Sequence, residues 1–193
     1  MLRDLLASCR SVRRFRQEPK PSPAQLRDLV SLASLCPSGG NLQPLKFLLS
    51  ATEETNRRIF PHLRWAGALK DWPGPAPGER PTAYVVILGD TDVSRSFGVD
   101  HGIAAQTMML GAVEMGLGGC MIGSIDRDAL RKDLQIPGRF QILLVLALGT
   151  PGETVELEPV KDGVTRYWRD AQSVHHVPKR PVDELIYRGT GEE

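Results

Sequence analysis

The chain has 193 residues, 41% hydrophobic and 24% charged, with a net charge of +1. That length and balance suit a single domain over residues 1–193 with a real core, and they exclude a disordered chain. Near-neutrality offers no global field for nucleic acid or acidic membranes, and the longest apolar run, residues 142–148, is far too short to span a bilayer.

Residues 2–9 carry apolar side chains at helical spacing and run into an arginine cluster; Asp4 and the early arginines do not form a signal-peptide pattern. Ser22 precedes Pro23, and Gln25 follows three residues after it, which predicts a capped helix from Pro23 to about Leu35. Pro37-Ser38-Gly39-Gly40-Asn41 breaks that helix into a loop. Residues 45–49 read as a strand, followed by helical stretches at 53–60 and 63–70. Residues 72–81 form a proline- and glycine-rich loop within the same domain. Because it carries Trp72, it is expected to border the pocket in which a substrate is held.

Residues 84–88 are an apolar, β-branched strand. Residues 97–116 give the longest helical pattern, apolar on most faces and therefore buried. Its small residues Gly102, Ala104, Ala105, Gly111 and Ala112 suit either internal packing or a dimer interface. A short strand at 120–122, a short helix capped by Asp126, and the strongest strand of the chain at 140–148 follow. Short extended pieces at 167–168 and 174–177 and a last helix near 182–187 complete the pattern. Helices and strands alternate without a βαβ rhythm, which predicts an α+β fold.

Several motifs are excluded. Gly116-Leu117-Gly118-Gly119-Cys120-Met121 lacks the last glycine of a dinucleotide fingerprint and follows a helix where that fingerprint follows a strand. His175 and His176 would point to opposite faces of a strand, so no shared metal is expected. Cys9, Cys36 and Cys120 are odd in number and widely spaced, which argues for a reducing cytoplasm and against a disulfide framework.

Two motifs carry chemistry. In Arg10-Ser11-Val12-Arg13-Arg14-Phe15, guanidinium groups and a hydroxyl are suited to one phosphate-sized anion, though a solvated basic face has the same composition. In Cys36-Pro37-Ser38-Gly39-Gly40-Asn41-Leu42-Gln43-Pro44, glycines permit close approach to a flat ligand, and Asn41 and Gln43 carry donors and acceptors suited to the edge of a heterocycle. A plain polar connection between helix and strand is the competing reading.

In this order and spacing the two motifs resemble the opening of the nitroreductase family. The resemblance continues through Asp100-His101-Gly102-Ile103-Ala104-Ala105-Gln106, the glycine-rich exit at 116–123, Leu148-Gly149-Thr150-Pro151, and His175-His176-Val177-Pro178-Lys179-Arg180. It implies a mostly antiparallel central sheet surrounded by helices, an intertwined homodimer, and FMN at the subunit interface. Under it, Arg10, Ser11, Lys179 and Arg180 would hold the FMN phosphate. Arg13 would face the ribityl chain or the pyrimidine edge. Pro37, Ser38, Gly39, Asn41 and Gln43 would come from the other subunit, and Met121, Ile122 and Gly123 would lie against the ring. The implied reaction takes hydride from NAD(P)H and reduces a nitroaromatic, quinone or similar electron-poor acceptor in ping-pong fashion. The alternatives are an FMN-binding storage or sensing module and a flavin enzyme of the same fold with another reaction. No residue stands out as a catalytic acid or base. Leu45 and Gly123 depart from the residues many members carry there, which bears on the acceptor.

Overall fold

The computed structural model describes residues 1–187 and 189. Its centre is β3 (Ala83–Asp90), buried along its whole length. It pairs antiparallel with β2 (Leu45–Ser50) on one side and β5 (Phe140–Pro151) on the other. Beyond β5 lie β4 (Gly118–Ile122) and the two-residue β1 (Phe15–Arg16), each antiparallel to a different stretch of β5.

Strand alternation divides the core in two. Ala83, Val85 and Ile87 face a cluster completed by α2 (Pro23–Ser34) and α4 (Asp100–Glu114). Tyr84, Val86 and Leu88 face a second cluster that includes Ile59 of α3 (Glu53–Ile59) and Leu130 of α5 (Arg127–Leu134). The fold is therefore α+β, with helices on both faces of an antiparallel sheet. A three-stranded sheet stands apart: β6 (Val155–Pro159) runs parallel to β8 (His175–Lys179), and β7 (Trp168–Arg169) runs antiparallel to it. The chain ends in a short α6 (Val182–Leu185). Among the described residues, no helix is long and apolar enough to cross a membrane.

The capping signals mark real ends. The Ser22 hydroxyl accepts from the Gln25 N–H, and the Gln25 side-chain oxygen accepts in turn from the Ser22 N–H. Asp126 accepts from the Ala129 N–H at the start of α5. Two expected helices are altered. Residues 63–70 are not helical: Leu63 bridges to Ile125, the Arg64 N–H donates to the Ser124 carbonyl, and Ala66 has φ of 39°. The strand-like pairing with 124–125 takes the backbone donors a helix needs. The long helix starts at Asp100, because Gly98 turns with φ of 46° and Phe97 instead lays its ring over Gly89.

The small residues of α4 serve the chain's own core. Ala104, Ala105 and Ala112 are buried, and a Cβ on Gly111 would stand 2.3 Å from Leu32 Cδ1 of α2. Of the two uses open to this stripe, internal packing accounts for Ala104, Ala105, Gly111 and Ala112, while Gly102 stays exposed and open. Gly119 is just as constrained: a Cβ there would lie 2.6 Å from the Ala147 carbonyl oxygen and 2.7 Å from Leu148 Cδ2. Because a main-chain atom is in the way, Gly119→Ala is expected to lower stability by about 1–3 kcal/mol. A urea midpoint equal to that of the parent chain would refute this.

Candidate functional site

The first motif leaves α1 (Leu2–Ser8) and runs beside β4. The Val12 N–H donates to the Gly119 carbonyl at 2.8 Å, and Ser11 bridges to Gly119 in parallel register. This contact depends on bare glycine: a Cβ on Gly118 would meet Val12 Cγ2 at 3.1 Å. Residues 10–13 and 118–123, far apart in sequence, thus share one edge of the sheet.

Within that edge the basic residues differ in what they touch. Arg10 is partly buried. One Nη donates to the Leu6 carbonyl at 2.7 Å, while its buried Nε has no partner among the described residues. Ser11 is exposed. Arg13 is buried, at 9% exposure, and its guanidinium turns inward. It donates to His175 Nε2 at 3.2 Å and to the Ser11 carbonyl at 3.3 Å, and stacks 4.9 Å from the Tyr167 ring centre. Met121 packs beside the first core and Ile122 is buried in the second, both on a strand paired antiparallel with β5. Gly123 is exposed, and its carbonyl accepts from Arg127.

Glu153, just past β5, links the two sheets. Its side chain is 1% exposed. One carboxylate oxygen accepts from the Arg13 and Arg14 backbone N–H groups, and the other pairs with Arg169 of β7 at 2.6 Å. Arg169 also lies 4.7 Å over the Trp72 ring. His175 fits this cluster as a neutral ring, with Nε2 accepting from Arg13 and the buried Nδ1 left without a partner. Burial, reinforced by the Arg13 charge, depresses its pKa to about 4. His176 points away. It stacks on Trp168 and meets Asp170 and Glu158, so the two histidines have separate surroundings.

The second motif forms a compact loop elsewhere on the chain. Ser38 Oγ donates to Asp100 Oδ2 at 2.6 Å and accepts from the Gln43 N–H, while the Gly39 N–H donates to Asp100 Oδ1. Gly40, Asn41 and Gln43 all have positive φ, at 56°, 54° and 51°. Pro37, Ser38 and Gln43 line a cavity of about 240 Å³ beside Phe47 and Ala104. No hydrogen bond among the described residues joins this loop to residues 10–13 or 118–123. Lys179 ends β8, roughly 13 Å along the strand from His175. Arg180 pairs with Glu184 at 2.8 Å, and neither basic residue bonds to Arg10 or Ser11.

Sequence reasoning missed Asp100, Glu153 and Arg169. Asp100 had a signal, as an acid in the first turn of the long helix with nothing local to bind. Glu153 and Arg169 had none, because their meaning depends on the small sheet docking on the large one. Cys9 and Cys120 are buried, and Cys36 donates to Thr107 Oγ1 at 3.1 Å. Burial pushes the Cys9 and Cys120 thiols up against the lowering effect of Arg10 and Arg13 respectively. The loop at 72–81 has two surroundings. Trp72 lies under Arg169, while Pro77, Gly78 and Arg80 line a cavity that none of the expected flavin residues touches.

The sequence profile of the nitroreductase family matches residues 6–150. An iodotyrosine deiodinase from Thermotoga neapolitana is 24% identical over 187 residues, covering 86% of this chain and 97% of that protein. An NADPH-flavin oxidoreductase from Vibrio harveyi is 37% identical over 71 residues, only 36% of this chain and 30% of that one. The solved structure of an FMN-dependent nitroreductase from Clostridium difficile shares the fold with a TM-score of 0.63 at 20% identity, covering 82% of this chain and 91% of its own.

Proposed function

The chain belongs to the nitroreductase family, and on that footing we propose that it is a flavin-dependent oxidoreductase whose FMN is bound between two copies of the chain. The observation that carries this reading is the shared edge of residues 10–13 and 118–123, where Arg10 keeps a buried, unpartnered Nε beside an exposed Ser11. Such donors suit a phosphate, and the exposed Gly123 on the same edge leaves backbone open to a flat ring. When bound, FMN would supply the two-electron relay between NAD(P)H and an electron-poor acceptor such as a nitroaromatic or quinone.

The chain's own residues would bind and orient. Arg10 and Ser11 would hold the phosphate, with Lys179 and Arg180 adding charge. Met121, Ile122 and Gly123 would lie against the ring, the last two chiefly through main chain. Pro37, Ser38, Gly39, Asn41 and Gln43 would reach the ring of the other copy, a role compatible with their separation from residues 10–13 in one chain. Arg13 already holds His175 and Ser11, so its part toward the ribityl chain or pyrimidine edge would be played by the remaining donors.

Exposed apolar side chains support the homodimer. Although α1 carries leucines, none of its residues is buried, and Leu2 and Leu6 stand open together with Leu35, Leu42 and Val99. A second reading keeps the flavin and changes the acceptor to a halogenated phenol; it is supported by the Thermotoga relative, which this chain matches over 97% of its length.

The purified protein is expected to be yellow, to release FMN on denaturation, and to sediment as a dimer. Arg10→Ala should weaken FMN binding by roughly 1.5–3 kcal/mol, about tenfold to a hundredfold. A colourless chain that takes up no added FMN would refute the cofactor. NADPH oxidation measured with a nitroaromatic, a quinone and an iodophenol would separate the two acceptor readings, and absence of turnover with all three would favour storage or sensing.

A further inference from the structure

A cavity of about 370 Å³ lies at the opening of the β2–β3 pair, under the loop that precedes β3. Its volume falls within the range of small-molecule sites. None of the thirteen residues expected to bind FMN lines it.

Three cations and one carboxylate, Glu53, are among its lining residues. Arg80, on the rim, lays its guanidinium 4.1 Å over the Phe60 ring. Among the described residues, that guanidinium has no carboxylate partner and makes no hydrogen bond. Lys20 and Arg57 add two more cations, held by Glu18 at 3.5 Å and by Glu53. At the floor, the buried Thr82 hydroxyl has no hydrogen-bond partner among the described residues, and Tyr84 is buried beside it. Burial pushes the Tyr84 pKa above the usual phenol range, so the group is a proton donor at all ordinary pH. Phe60, Pro77 and Pro81 supply an apolar lining beside these polar groups.

A free guanidinium at the mouth, an unpartnered hydroxyl at the floor and an apolar wall between them select a molecule with a negative head and an apolar body. Guanidinium favours a planar, two-oxygen anion, because its fork matches carboxylate geometry. We propose that this cavity is a second ligand site, distinct from the flavin residues, which takes a small organic carboxylate. The carboxylate would accept from Arg80, and the body would lie along Phe60 and the prolines.

The test is calorimetric titration of the purified protein, with its flavin, against benzoate as the probe. Saturable binding with one site per chain is expected. Arg80→Gln, a change at an exposed position, should weaken it about tenfold or more. Thr82→Val should weaken it several-fold while leaving the visible flavin spectrum unchanged. The neutral methyl ester of benzoic acid should bind far more weakly. The proposal is overturned if the heats do not saturate, if the ester binds equally well, or if Arg80→Gln leaves affinity unchanged. It is overturned equally if excess FMN displaces benzoate, since the probe would then occupy the flavin site. Benzoate binding does not require the flavin assignment to hold, so failure of one reading is separable from failure of the other.

Discussion

Glu153→Ala is expected to remove about 3–5 kcal/mol of folding stability, a large part of what a domain of this size has. The loss has two sources. Arg169 would remain charged and 11% exposed without its carboxylate, and the Arg13 and Arg14 N–H groups would lose their acceptor. Truncating one member of a buried pair is costly because the other is left uncompensated. Glu153→Gln keeps an acceptor for the two N–H groups and loses only the charge, so it should fall between the parent and the alanine variant. Urea unfolding at neutral pH checks both. A Glu153→Ala midpoint within error of the parent would mean that the two sheets are held together by something else.

Stability should also fall with acid through His175. In the folded chain its pKa lies near 4, depressed first by burial and then by the positive charge of Arg13, with Arg169 and His176 adding to the effect and Glu153 opposing it. In the unfolded chain it returns to about 6.5. Between those values the unfolded state binds one more proton, so stability drops as pH falls from about 6.5 towards 4 and levels off below. Above 6.5 this contribution is fully present. The full shift corresponds to at most about 3 kcal/mol. Unfolding free energies at pH 8 and at pH 4.5, for the parent and for His175→Asn, would isolate it. If the two proteins show the same pH slope in that window, His175 is not the group responsible.

What could be read in advance follows the range of the forces involved. The helix caps at Ser22 and Asp126 were legible because a side chain three residues from its acceptor is a local matter. β3 and β5 were legible because a run of β-branched and aliphatic residues has few other uses. Residues 63–70 misled because their composition suits a helix, and only pairing with 124–125 decides otherwise. β1 and β6 went unread. The first is two residues long, and the second, Val155-Glu156-Leu157-Glu158-Pro159, lacks apolar character on one face and exists by pairing with β8. The site divides in the same way. The glycines of 116–123 and the basic segment announced themselves, whereas the inward turn of Arg13 depends on a histidine 162 residues away.

The loop around Asn41 has a thermodynamic consequence. Two side-chain-bearing residues and a glycine within four positions hold left-handed dihedrals, at a cost of roughly 1–2 kcal/mol for each non-glycine residue. Three hydrogen bonds, two from the loop to Asp100 and one inside it to Ser38, keep that shape in place. The entropy of ordering has therefore been spent during folding and need not be spent again on an encounter. Whatever this loop meets, it meets as a rigid surface, and association there is governed by fit and diffusion with no disorder-to-order step.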